Sequence, residues 1–317
     1  MNNDPRIDII LATFNGEAYL AAQIASLLQQ TYHNWYLIIR DDGSQDSTVD
    51  IIQRYRVQHP DKIKLINDGN LNLGAKSNFA RLLTHAKADY IMFCDQDDVW
   101  LPQKIQITYD KMKTLETELG ENTPLLVHTD VKVVDPTLQV VAKSLWQYQK
   151  SDPEKGSTLR RLLLQNVATG CTVMINKPLR ERALPIPNDA MMHDWWLALV
   201  AAAFGYISHI SEPTLLYRQH ERSDIGAKAW NAHMAFLYLR RLGETIRNIN
   251  KVNLQVQKQA EVFLERYRDV LRDSDKEMVA IYSHLSKQNY FMRKYYMIEY
   301  GFFYTDLLRN IGRLIFA

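Results

Sequence analysis

The first ninety-five residues alternate short apolar runs with segments whose apolar residues recur at helical spacing. Strands are predicted at 7–13, 35–40, 62–67 and 89–94, and helices at 16–30, 46–58 and 75–86. This alternation predicts an α/β fold with a mainly parallel sheet and helices on both faces. In such sheets ligands bind beyond the carboxyl ends of the strands, so the loops FNGE, DDGS and DQDD should meet at one crevice.

A less regular pattern continues up to Gly226. The further elements predicted are a helix at 101–119, a strand at 125–130 with a hairpin to about residue 143, a helix after residue 158, a strand at 169–176, a helix after Asp194 and a strand ending at 215–220. From Ala227 onward no proline occurs, and apolar residues such as Phe236 and Leu239 recur at helical spacing, which predicts three or four helices. We therefore expect two parts, an α/β domain at 1–226 and a helical module at 227–317.

The composition is that of an ordinary globular protein, with 46% hydrophobic and 23% charged residues among 317. The net charge of +2 hides an asymmetry, because residues 227–317 hold 15 Lys and Arg against 9 Asp and Glu. The two parts should therefore face different partners. Cys94 and Cys171 lie in apolar, strand-like contexts, which favours buried free thiols in a reducing, cytosolic compartment over a disulfide or a metal site.

Neither a signal peptide nor a membrane-spanning segment is expected. The N-terminal MNNDPR is polar and leads directly into a strand. The closest candidate for a spanning helix, 195–210, is shorter than the ~18 apolar residues required, and it contains Gly205 and His209. It is predicted to be a buried helix followed by a strand.

The stretch FCDQDDVW, 93–100, places Asp95, Asp97 and Asp98 directly after a buried strand. On an extended chain Asp95 and Asp97 would share one side, where two carboxylates repel each other unless a cation lies between them. Oxygen ligands suit a hard divalent ion such as Mg²⁺ or Mn²⁺, which also binds phosphate oxygens. The alternative is a solvated acidic turn that caps the next helix.

The loop DDGSQDST, 41–48, also has two interpretations. Asp46 or Ser47 could cap the following helix, and Asp42-Gly43 is a typical turn. At the end of the second strand, however, an Asp can accept hydrogen bonds from a pyrimidine N–H. The loop lacks Walker and GxGxxG patterns, which argues against a P-loop NTPase or a dehydrogenase.

The C-terminal segment 289–316 is rich in aromatic and basic residues. Eight of the fifteen residues 290–304 are Tyr or Phe, and Arg293, Lys294, Arg309 and Arg313 are interleaved with them or follow them. A helix of this composition suits a membrane–water interface. The alternative is a helix that packs on its neighbours or on a second subunit.

Together these loops carry a family resemblance. ATFNGE (12–17), RDDGSQDS (40–47), NLGAKSNF (72–79) and FCDQDDVW (93–100) resemble the successive motifs of family 2 glycosyltransferases, which have the Rossmann-like GT-A fold. TGCTVMIN (169–176), HDWWLAL (193–199) and YRQHERSDIGA (217–227) resemble the bacterial rhamnosyltransferase-like branch of that family. The resemblance covers about 1–227 and identifies 1–226 as a nucleotide-sugar-binding catalytic domain.

The resemblance assigns the nucleotide-binding residues. It implies that Thr13, Asn15 and Glu17 line the base and ribose, and that Asp41 or Asp42 holds the base edge. Lys76, together with Arg218 and Arg222, could neutralise phosphate, although surface charge explains each of them equally well.

The resemblance also assigns the reacting groups. Asp97 would bind the metal directly and Asp95 would lie nearer the ribose, while His220 would approach the metal or the diphosphate. Asp194 would be the general base, which accepts the proton of the acceptor hydroxyl. Many relatives have Glu where this chain has His193, a departure that fits the rhamnosyltransferase-like branch.

The predicted function is that of an inverting, metal-dependent glycosyltransferase with Mn²⁺ or Mg²⁺ and a nucleotide-sugar donor, either dTDP-rhamnose or a UDP-sugar. The acceptor is expected to be a lipid-linked glycan of bacterial surface polysaccharide synthesis. The protein should then be cytoplasmic, with contacts to the inner membrane face or to a second copy, and with no nucleic-acid partner. Two alternatives stay open: a sugar-phosphate nucleotidyltransferase, against which the acidic loop FNGE counts, and a non-catalytic nucleotide-sugar-binding protein.

Overall fold

A computed structural model describes residues 4–69, 72–220, 242–304 and Asn310. Within these residues one nine-stranded sheet forms the centre of the molecule. The strands are β1 (Ile7–Thr13), β2 (Trp35–Asp41), β3 (Ile63–Ile66), β4 (Tyr90–Cys94), β5 (Val99–Trp100), β6 (Leu125–Val134), β7 (Val140–Ala142), β8 (Met174–Asn176) and β9 (Tyr206–Arg218).

The sheet has a parallel half and a mixed half. The strand order is β3-β2-β1-β4-β8-β6-β9-β5, with β7 paired to β6. β3, β2, β1 and β4 are mutually parallel, whereas β8 is antiparallel to both β4 and β6. β9 runs parallel to β6 and antiparallel to β5. The predicted α/β fold is therefore confirmed, and its sheet is parallel from β3 to β4 and mixed beyond β4.

β9 is longer than the strand that it accompanies. It covers 13 residues opposite the 10 residues of β6. The register shifts between Thr129 and Asp130 and again between Asp130 and Lys132, so the additional residues of β9 are accommodated as bulges. Beyond these bulges β9 delivers Arg218 to the same edge of the sheet at which β1, β2 and β4 end.

Helices cover both faces of the sheet. They are α1 (Leu20–Leu28), α2 (Thr48–Gln58), α3 (Gly74–His85), α4 (Lys104–Leu119), α5 (Leu145–Gln149), α6 (Pro153–Gly156), α7 (Leu159–Leu162), α8 (Lys177–Ala183), α9 (His193–Phe204), α10 (Leu242–Tyr267), α11 (Asp273–Ser283) and α12 (Tyr290–Glu299). Side chains of β1 alternate between the two cores that result: Ile9 packs with α1, α2 and α4, and Ile10 with α3 and α9.

Two predicted elements differ from the structure. The strand expected at 169–176 is wrong in its first half, because Gly170–Thr172 form a 3-10 helix and only Met174–Asn176 are a strand. The carbonyl of Thr169 accepts hydrogen bonds from the N–H and the hydroxyl of Thr172, which turns the chain. The helix expected to start at Gly16 begins at Leu20, because Asn15 has a positive φ of 48° and the loop continues beyond it.

The C-terminal helices pack on the α/β part. Phe263 of α10 meets Trp196 of α9 with ring centroids 5.6 Å apart, and both side chains are fully buried. The hydroxyl of Tyr267 donates to the carbonyl of Arg182, and Gln259 accepts from the N–H of Met191. The predicted boundary at 226/227 lies outside the described residues, as do Phe236 and Leu239. The described helices beyond the boundary share one apolar core with α9.

No described helix combines the length and the apolar character needed to cross a bilayer. Of the segment 289–316, α12 and residues up to 304 are described, together with Asn310. Arg309 and Arg313 lie outside the described residues.

Candidate active site

The loops after β1 and β2 form one hydrogen-bonded unit. Thr13 donates its hydroxyl to Asp41 over 2.8 Å. The side chain of Asn15 accepts from the N–H of Gln45 over 2.8 Å, and Glu17 accepts from the N–H of Ser47 over 3.0 Å. The structure thus brings together three of the predicted nucleotide-binding residues, Thr13, Asn15 and Glu17, at the carboxyl edge of the sheet.

Asp41 and Asp42 hold this edge in different ways. Asp41 accepts from the hydroxyls of Thr13 and Ser44 and from the N–H groups of Gly43 and Ser44, which fills about four lone-pair positions. Asp42 is buried and accepts from the N–H groups that begin α3, at Leu73 and Gly74. Both carboxylates therefore shape the loops that a nucleotide would contact.

Arg40 lies fully buried beneath these loops. Its guanidinium donates to Asp42 over 3.2 Å, to Asn78 over 3.0 Å and to Asp68 over 3.1 Å. The two carboxylates and the hydrogen bonds raise the pKa of Arg40 despite its burial. This cationic centre ties the end of β2 to α3 and to the loop after β3.

Gln96, between the acidic residues, joins the acidic loop to β1. Its side chain accepts from the N–H of Phe14 over 2.9 Å and donates to the Phe14 carbonyl over 3.0 Å. Gly16 packs against the same amide, since a Cβ on Gly16 would lie 2.2 Å from Gln96 Oε1. This role could not be predicted, because a Gln between aspartates carries no signal in the sequence by itself.

The acidic loop meets the end of β9. His220 Nε2 lies 2.8 Å from Asp97 Oδ2, although 123 residues separate them. Asp98 is fully buried and accepts from the backbone N–H of Arg218 over 3.2 Å. Burial, with the charges of Asp97 and Asp95 nearby, raises the pKa of Asp98 well above its usual value.

Asp95 faces another group of side chains. Its carboxylate, the carboxylate of Asp98 and the thiol of Cys171 have donor atoms within 4.8 Å of one another. Both cysteines are buried and free, as predicted, and burial raises the pKa of each thiol. Lys104 is buried beside them, and burial lowers its pKa to about 8.

The residues present fit a hard divalent ion. Adjacent ligands of an octahedral Mg²⁺ ion at about 2.1 Å lie roughly 3 Å apart. Asp97 Oδ2 and His220 Nε2 form a hydrogen bond of 2.8 Å, a separation that two adjacent ligands could keep if the ion replaced the shared proton. The neighbouring carboxylates of Asp95 and Asp98 supply the oxygen-rich surroundings that such ions favour.

Asp194 lies in the first turn of α9, on the other side of the segment that contains Gly170 and Cys171. Its carboxylate accepts from the N–H of Trp195 over 2.7 Å and is nine-tenths buried. Burial raises its pKa from 3.8 to about 6, although hydrogen bonds from Trp195, Gly170 and Asn166 oppose the shift. A carboxylate with this pKa is suited to accept a proton near neutral pH.

The imidazole of His193 packs beside Asp194 in an apolar slot. It stacks on Phe79 at 4.2 Å and on Phe93 at 5.2 Å between ring centroids. Neither ring nitrogen has a hydrogen-bond partner among the described residues, and burial lowers the pKa of His193 to about 3. His193 is therefore neutral at physiological pH and adds no charge to Asp194.

Two of the residues considered for phosphate neutralisation, Lys76 and Arg218, donate hydrogen bonds to backbone carbonyls. Lys76 donates to the carbonyls of Asn188 and Ala190, the latter over 2.9 Å. Arg218 is buried, and its Nε donates to the Asp97 carbonyl over 2.8 Å. Both side chains hold backbone segments of the site. Arg222 lies outside the described residues.

The sheet, with an acidic loop at its edge and a buried carboxylate beside it, has the arrangement that the resemblance to family 2 glycosyltransferases implies. The model of glycosyl transferase family 2 matches residues 8–121. A dTDP-rhamnosyl transferase, RfbG of Shigella flexneri, is 30% identical over 228 residues, which cover 68% of this chain and 74% of that protein. The chain belongs to glycosyl transferase family 2, and it is a glycosyltransferase.

Other relatives agree with this assignment. WfgD of Escherichia coli, a UDP-Glc:alpha-D-GlcNAc-diphosphoundecaprenol beta-1,3-glucosyltransferase, is 33% identical over 112 residues, which cover 35% of this chain and 42% of WfgD. The fold is similar to that of S. aureus TarS, with a TM-score of 0.54, 17% identity and coverage of 89% of this chain and 72% of TarS.

A second solved structure, the mannosyltransferase PcManGT from Pyrobaculum calidifontis in complex with GDP-Man and Mn²⁺, has a TM-score of 0.53 at 16% identity. The match covers 99% of this chain and 79% of PcManGT. The predicted GT-A fold with a C-terminal helical extension is confirmed. Because the chain is a glycosyltransferase, the nucleotidyltransferase and the non-catalytic binding protein are set aside.

Proposed function

We propose that this glycosyltransferase is inverting and metal-dependent and that Asp194 is its general base. The observation that carries the proposal is the position of Asp194. Its carboxylate lies against Gly170, and the next residue, Cys171, lies against Asp95 and Asp98 of the acidic loop. Asp194 and Asp95, one of the proposed metal ligands, thus both adjoin one short segment, which supports their action on the same substrate.

Asp97, Asp95 and His220 hold Mn²⁺ or Mg²⁺ in this proposal. When bound, the ion stabilises the negative charge of the leaving nucleoside diphosphate. Asp194 accepts the proton of the acceptor hydroxyl, and its burial raises its pKa and so its basicity. His193 and the phenylalanine rings around it exclude water from the rear of this carboxylate.

Thr13, Asn15, Glu17 and Asp41 form the wall for the nucleotide. The Thr13–Asp41 hydrogen bond and the bonds from the N–H groups of Gln45 and Ser47 give this wall a fixed shape before the donor arrives, which lowers the entropic cost of binding. Asp42 supports this wall by accepting hydrogen bonds from the N–H of Gly74, at the start of α3, and from Arg40. Lys76 acts by holding the carbonyls of residues 188 and 190, which precede the Asp194 turn.

The proposed donor is dTDP-L-rhamnose. The similarity to a dTDP-rhamnosyl transferase over most of the chain supports it, whereas the shorter match to a UDP-Glc-dependent enzyme supports a UDP-hexose as second candidate. Thermal unfolding with dTDP-rhamnose, UDP-glucose and GDP-mannose, each with Mn²⁺ or with EDTA, tests both. We expect dTDP-rhamnose to raise the melting temperature in Mn²⁺ and to release dTDP on addition of acceptor.

If only UDP-glucose among the three sugars stabilises the protein, the proposed donor changes to a UDP-hexose, and the proposed metal and general base are unaffected. Equal stabilisation and turnover in EDTA would overturn the metal dependence.

The proposed acceptor is a lipid-linked glycan of bacterial surface polysaccharide synthesis, reached at the inner face of the cytoplasmic membrane. α12 supports this location, because Phe291 is 82% exposed and Ile298 is 66% exposed, with Tyr290, Lys294 and Tyr295 near them on the helix. Exposed aromatic and basic side chains on one helix suit an anionic lipid interface. We therefore propose that the helical module 227–317 serves as a membrane-surface contact.

Co-sedimentation with vesicles of phosphatidylglycerol and phosphatidylcholine tests the location. We expect the wild type to bind and Phe291→Ala to bind several-fold less. Vesicle binding that is unchanged in the variant overturns the role of α12. A dimer in solution that dissociates in Phe291→Ala would assign the same surface to a second copy.

A further inference from the structure

Tyr19, which no sequence motif singles out, lies between two residues of the β9 end. Its ring stacks on His220 with centroids 4.9 Å apart and an interplanar angle of 29°. The same ring also contacts Arg218, whose guanidinium carbon lies 4.5 Å from the ring centroid. Tyr19 immediately precedes α1, so its position is fixed by the loop that also carries Asn15 and Glu17.

Arg218 holds the backbone of the acidic loop. Its side chain is only 5% exposed, its Nε donates to the carbonyl of Asp97 over 2.8 Å, and its Nη1 donates to the carbonyl of Pro136. Its backbone N–H donates to Asp98 over 3.2 Å. A buried cation held by carbonyl oxygens and an aromatic face is a rigid support.

These contacts form a closed circuit around Asp97. The carboxylate of Asp97 meets His220, His220 stacks on Tyr19, Tyr19 packs on Arg218, and Arg218 returns to the carbonyl of Asp97. Both the backbone and the side chain of Asp97 are thereby restrained by residues that share one tyrosine ring. Restraining a ligand side chain before the ion binds removes part of the entropic cost of binding.

We propose that Tyr19 and Arg218 are positioning residues, which hold Asp97 and His220 in the arrangement that receives the divalent ion. This inference rests on the metal site of the proposed function. Neither residue touches the ion or the sugar in this proposal. Tyr19 also connects the metal half of the site to the nucleotide wall, because it belongs to the same loop as Asn15 and Glu17.

Calorimetric titration of the full-length protein with Mn²⁺ alone tests the proposal. We expect Tyr19→Leu, which keeps bulk but removes the stacking face, to weaken Mn²⁺ binding about tenfold, as other outer partners of metal ligands do. Tyr19→Phe keeps the ring and should bind like the wild type. Arg218→Lys, which cannot donate to both carbonyls in the same way, should weaken binding to a similar extent as Tyr19→Leu.

The matched control is Tyr36→Leu. Tyr36 packs beneath the guanidinium of Arg6 at 5.3 Å, at the start of β2 and thus at the opposite edge of the sheet. Tyr36→Leu loses a contact between an aromatic ring and a guanidinium, as Tyr19→Leu does, but far from the acidic loop. This variant should therefore bind Mn²⁺ like the wild type. Kinetics adds a second readout: the Mn²⁺ concentration for half-maximal rate should rise in Tyr19→Leu, while kcat at saturating Mn²⁺ stays near that of the wild type.

Two failures are distinguishable. If the wild type binds Mn²⁺ and the folded variants Tyr19→Leu and Arg218→Lys bind it equally well, the positioning role of Tyr19 and Arg218 is overturned and the metal site stands. A wild type that binds no Mn²⁺ overturns the proposed metal site and this inference with it.

Discussion

The backbone of Gly170 lies directly against the carboxylate of Asp194: a Cβ on Gly170 would be 3.4 Å from Asp194 Oδ2 and 3.2 Å from His193 Nε2. An added Cβ would touch the carboxylate at an ordinary contact distance and would crowd the imidazole of His193, which packs beside the proposed base. Gly170 therefore matters through close approach, since its φ lies outside the positive region that favours glycine.

Gly170→Ala should lower kcat about threefold, because the added Cβ crowds His193 beside the proposed base, and a small displacement of a proton acceptor lowers the rate. Steady-state kinetics with the preferred donor measures it. The control is Gly16→Ala, whose Cβ would meet the flexible amide of Gln96 at 2.2 Å and should raise the KM for donor instead. An unchanged kcat in Gly170→Ala would show that the carboxylate tolerates displacement or is not the base.

Asp194→Asn should reduce kcat by about 10²–10⁴, the usual contribution of a general base. Donor affinity should stay near that of the wild type, because Asn keeps one acceptor oxygen for the N–H of Trp195. Single-turnover transfer and calorimetric donor binding separate the two effects. Normal turnover of the variant would remove Asp194 from the mechanism.

The pH dependence follows from the raised pKa of Asp194, about 6. A base acts in its ionised form, so kcat/KM should fall as the pH drops below about 6 and reach a plateau above it. Initial rates from about pH 5 to pH 8 at saturating Mn²⁺ test this. A profile that stays flat down to pH 5 would contradict the assignment.

The same shift predicts a change in stability. A carboxyl whose folded-state pKa is raised stabilises the fold while protonated, and this contribution is lost as the pH rises through about 6. Asp194→Asn should therefore be more stable than the wild type at pH 7, by up to about 3 kcal/mol, and should lose that advantage near pH 4. Urea unfolding at both pH values measures the difference, and an equal effect at the two values would rule out this explanation.

Asp42→Asn should destabilise the fold by roughly 2–4 kcal/mol, because it weakens a buried ion pair and turns an amide toward either Arg40 or the N–H of Gly74. The matched control is Arg81→Gln, which removes a half-exposed ion pair with Asp68 at 2.9 Å and should cost less than about 1 kcal/mol. Denaturant midpoints of both variants are compared. Equal midpoints would mean that the Arg40 centre is not structural.

Phe263→Ala should cost about 3–5 kcal/mol, since it opens a cavity against Trp196 in the shared core. The loss should appear in one cooperative transition together with the α/β part. Phe291→Ala, at an exposed position, is the control and should leave stability unchanged. A separate low-temperature transition in Phe263→Ala would show that the helices unfold as an independent unit.

The sequence predicted the strand–helix order because apolar alternation is a local property. It placed β1 through β4 within one or two residues, since each is a buried run bounded by polar turns. The segment 169–173 was predicted as strand because Thr, Cys and Val favour extended chains. A local 3-10 turn, set by the Thr169 carbonyl, overrode that preference.

The candidate site was predictable only in part. The acidic loop and Asp194 stood out through charge after buried strands and through resemblance to a family. The pairing of Asp97 with His220 depends on β9 returning beside the acidic loop, which no local pattern encodes. Gln96, Arg40 and Tyr19 were missed for the same reason, because their partners lie far away in the sequence.

β9 is three residues longer than β6, and this difference affects how the end of β9 reaches the acidic loop. Nine steps along β6 separate Leu125 from Val134, whereas twelve steps along β9 separate their partners Tyr206 and Arg218. The bulges absorb this difference, so Arg218 keeps its place opposite Val134 while its guanidinium reaches the Asp97 carbonyl. A deletion within 211–215 should be taken up by loss of a bulge, which would change the bend of β9 at its approach to the acidic loop.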